Sequence, residues 1–335
     1  MKSLNKKIVF RCDSNNKIGL GHLVRCLAVA NHLKEKLSIT FATDIDESNT
    51  YIKNDYETIC KKQDEDEREF LKRVNSLINP DILILDNKYP YNRHILQELK
   101  KNSLKIILFD NICDGMMECD GIIFPNAHFN LNRLKGYLVP DKIDKVKTGP
   151  EYVILRDEII AFKEKALQTK HNFKIAVTTG GSDPKGVLIT LSLLLKELNI
   201  KEDVCLLYGE SFKLRNELDD LDLPNNFHKL PYSLEYLTSS DIVICTFGMT
   251  VYEMIYLGLP TICVSHSKHN AKCAEILKKR YDALENLGYI KDLDTELLFK
   301  SLNKLQVSEN IPLKTIIDGK GAIRVANLIL EYMLK

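Results

Sequence analysis

The sequence predicts an α/β protein of two domains, each a parallel β-sheet covered by helices, with the loops of the two halves facing one another across a cleft. Three observations lead there. Short, almost wholly apolar runs recur in the first half and end in a polar residue: Asp81 to Asp86, Lys105 to Asp110, and Gly121 to Asn126. That is the pattern of parallel strands buried on both faces. The same grammar starts over at Phe173 and continues through Val204 to Gly209, Asp241 to Cys245 and Thr261 to Val264. Finally, 335 residues are too many for one comfortable core and suit two domains of about 150 residues each.

Composition narrows the function classes. A chain that is 44% hydrophobic and 28% charged is ordinary for a globular protein. A net charge of +1 supplies no electrostatic reason to expect nucleic acid as a partner. Nine cysteines are scattered, with Cys205, Cys245 and Cys263 inside apolar runs and no zinc-like spacing, as expected of small buried residues in a reduced compartment. The basic start, Met1 to Lys7, precedes an apolar stretch that stops at Phe10, too short for a signal peptide or a membrane span. A cytoplasmic enzyme or binding protein without stable membrane insertion is the expectation.

Taken in order, Ile8 to Phe10 reads as the first strand and Arg11 to Lys17 as a polar loop leaving it. Gly19-Leu20-Gly21-His22 follows, and then Leu23, Cys26, Leu27, Ala30 and Leu33 recur at helical spacing. The two glycines let backbone approach a ligand, and the helix start offers unpaired N–H groups to a negative group. His22 therefore stands where a titratable side chain can meet a phosphate or a sugar. A purely structural reading stays open, because Gly-x-Gly before a helix also serves tight packing. The run is not a dinucleotide fingerprint, since Val24 stands where a third glycine belongs, and there is no Walker A lysine.

Ser38 to Thr43 reads as the second strand, and the charge run Lys61 to Arg68 as a solvated helix start. The three polar-ended strands then place Asp86, Asp110 and Asn126 at the carboxyl edge of one sheet, where open α/β sheets bind ligands. Leu138 to Gly149, rich in proline, lysine and aspartate, reads as a boundary, which puts the domains at 1–156 and 157–335.

A polar helix from Asp157 opens the second domain, and the strand Phe173 to Thr179 runs into the loop Gly180-Gly181-Ser182-Asp183-Pro184-Lys185-Gly186. Helix Val187 to Leu198 comes next, then strands at Val204 and Phe227, a short helix at Ser233, and the buried strand Asp241 to Cys245. That strand opens into Thr246-Phe247-Gly248-Met249-Thr250, ahead of a helix over Val251 to Leu257 that carries Glu253. Thr250 and Glu253 have capping-box spacing and can simply close the helix end. The same geometry also suits helix N–H groups and Thr250 on a diphosphate, with Glu253 accepting from ribose hydroxyls. After Gly258-Leu259-Pro260 and the strand Thr261 to Val264, the loop Ser265 to Asn270 precedes a helix from Ala271, and Gly319 to Ile329 reads as a final amphipathic helix.

The run Arg11-Cys12-Asp13 with Ile18-Gly19-Leu20-Gly21-His22-Leu23-Val24-Arg25-Cys26-Leu27 resembles the nucleotide-sugar hydrolase family of pseudaminic acid biosynthesis and its spore-coat polysaccharide relatives. So do Gly180-Gly181-Ser182-Asp183, Gly248-Met249-Thr250-Val251-Tyr252-Glu253, Gly258-Leu259-Pro260 and Asp318-Gly319-Lys320-Gly321-Ala322. The resemblance covers most of the chain in order. It implies a glycosyltransferase-B architecture, two Rossmann-like domains facing a central cleft, with the sugar on the N-terminal domain, uridine diphosphate on the C-terminal one, and a last helix that can cross back.

It further implies hydrolysis of a UDP-linked 2,4-diacetamido-2,4,6-trideoxy sugar, a step in nonulosonic acid or surface-glycan biosynthesis such as flagellin glycosylation. His22 corresponds to the general base, and Asp13 is placed to hold the imidazole or the sugar hydroxyls. Arg11, Gly19, Gly21, Arg25 and Tyr89 are then expected around the sugar. Gly180, Gly181, Ser182, Gly248, Met249, Thr250 and Glu253 are expected around the nucleotide. No cofactor or metal is called for, because helix ends and Thr250 can hold the diphosphate. Two departures fall near the sugar: Asp86-Asn87-Lys88-Tyr89 is one residue longer than the family's Asp-x-Tyr, and His269-Asn270 stands where the family has Asn-Gln.

The alternative is a transferase of the same fold, which predicts an apolar, basic patch on the first domain for a membrane acceptor. Leu131 to Leu138 is a short candidate. A binding protein without turnover would have no need of His22.

Overall fold

Each half of the chain forms one parallel sheet, as its all-apolar strands require. The computed structural model describes residues 6–13, 21–44, 52, 55–100, 103–166, 172–307 and 316–334. The chain divides into two compact units, 1–156 with 319–335, and 157–318. Both are Rossmann-like, the fold class expected from the sequence.

The first unit contains β1 (Lys7–Cys12), β2 (Ser38–Thr43), β3 (Glu57–Cys60), β4 (Ile82–Asp86), β5 (Lys105–Phe109), β6 (Gly121–Phe124) and β7 (Val146–Thr148). Their spatial order is β3-β2-β1-β4-β5-β6-β7, every pairing parallel. Alternate residues of the central strands go to opposite cores. Ile8, Phe10, Ile82, Ile84, Ile107 and Phe109 pack on one face, Val9, Leu83, Leu85, Ile106 and Leu108 on the other. Period-two side chains on a sheet covered on both faces produce this division, and it is why these strands lack polar alternation.

Helices α1 (Gly21–Asn31) and α11 (Gly321–Leu334) cover the first face, through Leu23, Cys26 and Ala30 of α1 and Ala322, Val325 and Ile329 of α11. The last helix thus joins the unit in which the chain begins. Its first residue abuts backbone: a Cβ on Gly321 would lie 2.0 Å from the Val153 carbonyl oxygen. Helices α2 (Glu67–Ile78) and α3 (Arg93–Leu99) cover the second face.

Four stretches of this unit depart from the sequence expectation. Arg11 and Cys12 belong to β1 and not to the loop after it, because both are buried against neighbouring elements. The charge run Lys61 to Arg68 is only partly solvated: Asp66 caps α2 by accepting from the Glu69 N–H, and the next residue, Glu67, is buried at 3% exposure. The boundary Leu138 to Gly149 contains the seventh strand, Val146–Thr148, which is too short to show a period. The candidate patch at Leu131 to Leu138 is a 3₁₀ turn, Leu131–Leu134, with Leu134 and Leu138 in the core and Leu131 and Tyr137 exposed.

The second unit orders its strands β10-β9-β8-β11-β12-β13, again all parallel. These are β8 (Phe173–Thr178), β9 (Val204–Tyr208), β10 (Phe227–Pro231), β11 (Ser240–Thr246), β12 (Thr261–Ser265) and β13 (Glu285–Tyr289). The helices are α4 (Asp157–Ala166), α5 (Val187–Glu197), α6 (Arg215–Asp219), α7 (Leu234–Thr238), α8 (Met249–Leu257), α9 (Lys268–Tyr281) and α10 (Thr295–Val307). Val187, Leu188 and Leu191 of α5 and Leu298 and Leu302 of α10 bury against Ile175, Val177, Ile242 and Ile244.

Candidate functional site

In each sheet the strand order reverses once, between β1 and β4 in the first and between β8 and β11 in the second. At such a switch point the loops leaving two neighbouring strands diverge to opposite faces, and the crevice between them is where open α/β sheets hold ligands. The first switch point is flanked by the end of β1, the start of α1 and the end of β4. Cys12 and Asp86 are register partners there.

His22 is in the first turn of α1, its side chain 12% exposed, and its Nδ1 lies 2.7 Å from Asp86 Oδ1. Arg25, one turn further along α1, donates its Nε to Asp86 Oδ2 at 2.6 Å and an Nη2 to Oδ1. Burial by itself would raise the Asp86 carboxyl. The charge of Arg25, followed by His22 and the hydrogen bonds from both, outweighs it and holds Asp86 well below the usual carboxylate range. Asp86 is therefore an acceptor only, so Nδ1 carries a proton and donates it to the carboxylate. Arg25 Nη2 is also 2.8 Å from Nδ1, but one nitrogen cannot donate to Asp86 and accept from Arg25 at once. The ionised carboxylate decides the tautomer.

Asp86, not Asp13, is thus the carboxylate against the imidazole. Asp13 accepts from the Asp44 backbone N–H at 2.9 Å and from Arg11 Nη1. Arg11, expected near the substrate, is 1% exposed and committed elsewhere. Its Nε and Nη2 each donate to Glu67 at 2.8 Å, a bidentate pair beneath the site. Glu67 also accepts from Tyr91 Oη at 2.8 Å and Asn87 Nδ2 at 3.1 Å, which ties the loop after β4 to the end of β1. Hydrogen bonds and the Arg11 charge hold the Glu67 carboxyl low against the opposing effect of burial. Sequence reasoning missed Glu67 because it stands in a run of charges. The one local signal was its place at the start of α2, beside the capping Asp66.

The rest of this edge is polar. Arg25 Nη1 reaches Asp110 Oδ2 at 3.5 Å, Lys88 Nζ donates to the same oxygen at 3.1 Å, and Asn126 Nδ2 donates to Asp110 Oδ1 at 3.3 Å. Tyr89 is half-buried against Tyr91, with ring centroids 5.0 Å apart. Gly21 opens α1, and Gly19 lies outside the described residues.

At the second switch point the loop after β8 and the start of α8 meet. A Cβ on Gly180 would lie 3.9 Å from Thr250 Oγ1, and Gly180 has φ +83°, a conformation suited to glycine. Thr246 Oγ1 donates to Thr179 O at 3.1 Å. Gly209, after β9, packs on the same loop: a Cβ there would sit 2.4 Å from Gly181 O and 2.5 Å from Gly180 O. Ser182 is half-buried in this loop.

The two helix starts differ. Asp183 accepts from the N–H groups of Val187 and Leu188 at 3.0 and 2.8 Å, so its own carboxylate fills the N-terminus of α5. Helix α8 begins at Met249 after Gly248, a cap residue that has no side chain to offer. Thr250 lies inside the first turn, so the capping-box alternative for Thr250 and Glu253 does not hold. Glu253 is in the next turn and is buried. Of the two anion positions expected here, the start of α5 is thus filled by a side chain of the protein itself.

His269 and Asn270 fall in the first turn of α9, one turn earlier than expected, because Ser267 is the cap and accepts from the Asn270 N–H. Asn270 Nδ2 donates to Phe247 O at 3.3 Å, while His269 is exposed with Nε2 3.7 Å from Cys273 Sγ. Among the described residues no group of three or more His, Cys, Asp or Glu side chains converges as a metal site, and no helix is long and apolar enough to cross a membrane.

No known family model matches the chain. It is 25% identical over 332 residues to a protein of Methanocaldococcus jannaschii, covering 91% of this chain and 66% of that protein, so the chain spans slightly less than two thirds of that relative. It is 23% identical over 330 residues to the spore coat polysaccharide biosynthesis protein SpsG of Bacillus subtilis, covering 95% and 96% of the two chains. It is 27% identical over 198 residues to the UDP-2,4-diacetamido-2,4,6-trideoxy-beta-L-altropyranose hydrolase of Campylobacter jejuni, covering 58% and 67%. Among solved structures, MurG of Acinetobacter baumannii matches 97% of this chain and 99% of its own at TM-score 0.65 and 14% identity. The UDP-GlcNAc 2-epimerase of Neisseria meningitidis, solved with UDP-GlcNAc bound, matches 97% and 100% at TM-score 0.64 and 14% identity. Along nearly its whole length the chain therefore has the two-domain Rossmann-like fold of these proteins, the glycosyltransferase-B class.

Proposed function

We propose that this protein acts on a nucleotide-diphosphate sugar and breaks the bond between its anomeric carbon and the diphosphate, with His22 as general base. The observation that carries the reading is the 2.7 Å contact of His22 Nδ1 with the ionised Asp86, which leaves Nε2 free to take a proton. The first domain takes the sugar and the second takes the nucleotide, with the diphosphate at the start of α8. In the reaction Nε2 accepts a proton from water as its oxygen bonds to the anomeric carbon, and Asp86 stabilises the imidazolium. The carbon–oxygen bond to the diphosphate breaks, its electron pair leaves with the nucleotide, and the imidazolium proton passes to solvent.

Identity with the Campylobacter hydrolase supports water as the acceptor and a UDP-linked 2,4-diacetamido-2,4,6-trideoxyhexose as the substrate. Identity with SpsG supports a place in surface-glycan synthesis. Nine free cysteines, eight of them buried, support a reducing compartment such as the cytoplasm. The whole-length fold likeness to a glycosyltransferase of Rickettsia africae supports the second reading, in which an acceptor hydroxyl replaces water.

The test is incubation with UDP-, GDP- and CMP-sugars, with and without acceptor glycans, following nucleotide release and the anomeric product by NMR. Release without acceptor establishes hydrolysis, and release only with acceptor establishes transfer. Absence of release from every donor under both conditions refutes the reading.

A further inference from the structure

His22, Arg25 and Cys26 stand at positions i, i+3 and i+4 of α1, the spacing that puts three side chains on one helical face. That face meets the end of β4, and all three reach Asp86. His22 Nδ1, at 2.7 Å, and Arg25 Nη2 lie on Oδ1. Arg25 Nε lies on Oδ2 at 2.6 Å, and Cys26 Sγ is 3.3 Å from the same oxygen. An ionised carboxylate has about four acceptor positions, two on each oxygen. These donors fill them, and the last of the set is a thiol that no step of the reaction uses.

Cys26 can only donate here. It is wholly buried, and burial first, then Cys12 and the Asp86 charge, push its thiol well above the ordinary value against the pull of Arg25. The sulfur therefore keeps its proton. Cys12 is its second hydrogen-bond partner. One thiol has one proton and a carboxylate is the stronger acceptor, so that proton goes to Asp86 and Cys12 turns its own S–H to the Cys26 sulfur. The sheet places Cys12 for this, as the register partner of Asp86 on β1. A carboxylate shares its electron density among its donors, so a donor removed from Oδ2 strengthens the hold of Oδ1 on the His22 Nδ1 proton.

We propose that Cys26 is a positioning residue for the general base: its S–H on Asp86 Oδ2 fixes the carboxylate and tempers the basicity that Asp86 lends to His22. This rests on the reading that His22 takes the proton in the reaction. A thiol suits the place because it is a weak donor. It satisfies a buried oxygen and still leaves most of the negative charge to the imidazole. The other charged groups around the pair are Arg25, Asp110 on the far side of Arg25, and Lys88 on Asp110, and a change at Cys26 alone leaves them in place.

Cys26→Ser keeps a donor, Cys26→Ala and Cys26→Val remove it, and valine retains the volume that alanine gives up. NMR of the full chain follows the His22 Nδ1 proton, identified by its loss in His22→Asn. That resonance moves downfield in Cys26→Ala and Cys26→Val and stays near the wild-type position in Cys26→Ser. On whichever UDP-, GDP- or CMP-sugar the wild type cleaves, the acid limb of kcat/KM moves up by about 0.3 to 1 pH unit in the same two variants, part of the worth of one hydrogen bond to a charged group. Cys26→Ser brings it back. A resonance or an acid limb that stays put in both donorless variants, or a change that tracks side-chain volume and so spares Cys26→Val, overturns the assignment of Cys26, while turnover lost in His22→Asn keeps the base reading in place. A wild type that cleaves none of these sugars overturns both.

Discussion

Asp86 Oδ1 lies 2.7 Å from His22 Nδ1, and the opposite oxygen of the same carboxylate takes Arg25 Nε at 2.6 Å. One buried carboxylate thus orients an imidazole and is itself kept charged by a guanidinium one helical turn away. The pair arises because β1 and β4 are neighbours, so the helix after β1 starts beside the end of β4.

His22→Asn removes the base and leaves the Asp86–Arg25 pair intact. Turnover on the true donor falls by about 10²- to 10⁴-fold, the usual worth of a positioned general base, while the melting temperature stays near that of the wild type. Wild-type turnover in this variant, measured by nucleotide release, would remove His22 from the mechanism.

The acid limb of stability follows from Asp86 and Glu67. Both carboxyls are held below their unfolded values, so their contribution is fully present above about pH 4 and is lost as pH falls through the folded values. From pH 8 to 5 these two groups leave the melting temperature flat, and below about pH 4 they make it fall steeply. Arg25→Met takes away the charge that outweighs burial at Asp86, so the acid transition moves to higher pH. Thermal melts across pH decide this, and an unmoved transition speaks against Arg25 as the cause.

Arg11 is assigned to structure and not to substrate contact. Arg11→Met or Glu67→Gln alone costs about 3–5 kcal/mol, the usual penalty for leaving one member of a buried pair uncompensated. The double variant Arg11→Met, Glu67→Gln recovers part of the loss, because both charges leave together. Urea unfolding of the singles and the double gives the coupling energy, and additive losses would show that the two residues do not act as a pair.

Gly209→Ala places a methyl group against the backbone of Gly180 and Gly181, where contacts of 2.4–2.6 Å force the loop to move. UDP binding weakens severalfold or more, with the rest of the second domain unchanged by NMR amide shifts. Affinity equal to the wild type would place the diphosphate away from this loop.

The strands and most helices were legible because their signal is local. An all-apolar run closed by Asp86 or Asp110 reports a strand buried on both faces, and Leu23, Cys26 and Ala30 report a helix, each within a few residues. Short pieces such as β7 and β3 carry too little pattern to be seen. The strand-ending carboxylates were visible too, but which of them meets His22 was not. Asp86 is 64 positions from His22, and Glu67 is 56 from Arg11. Periodicity says which face a side chain takes and nothing about which strand lies beside it. Many strand orders bury the same apolar runs equally well, and only the order β3-β2-β1-β4 places Asp86 under His22, leaves Asp13 to Arg11, and turns an expected substrate arginine into a buried support.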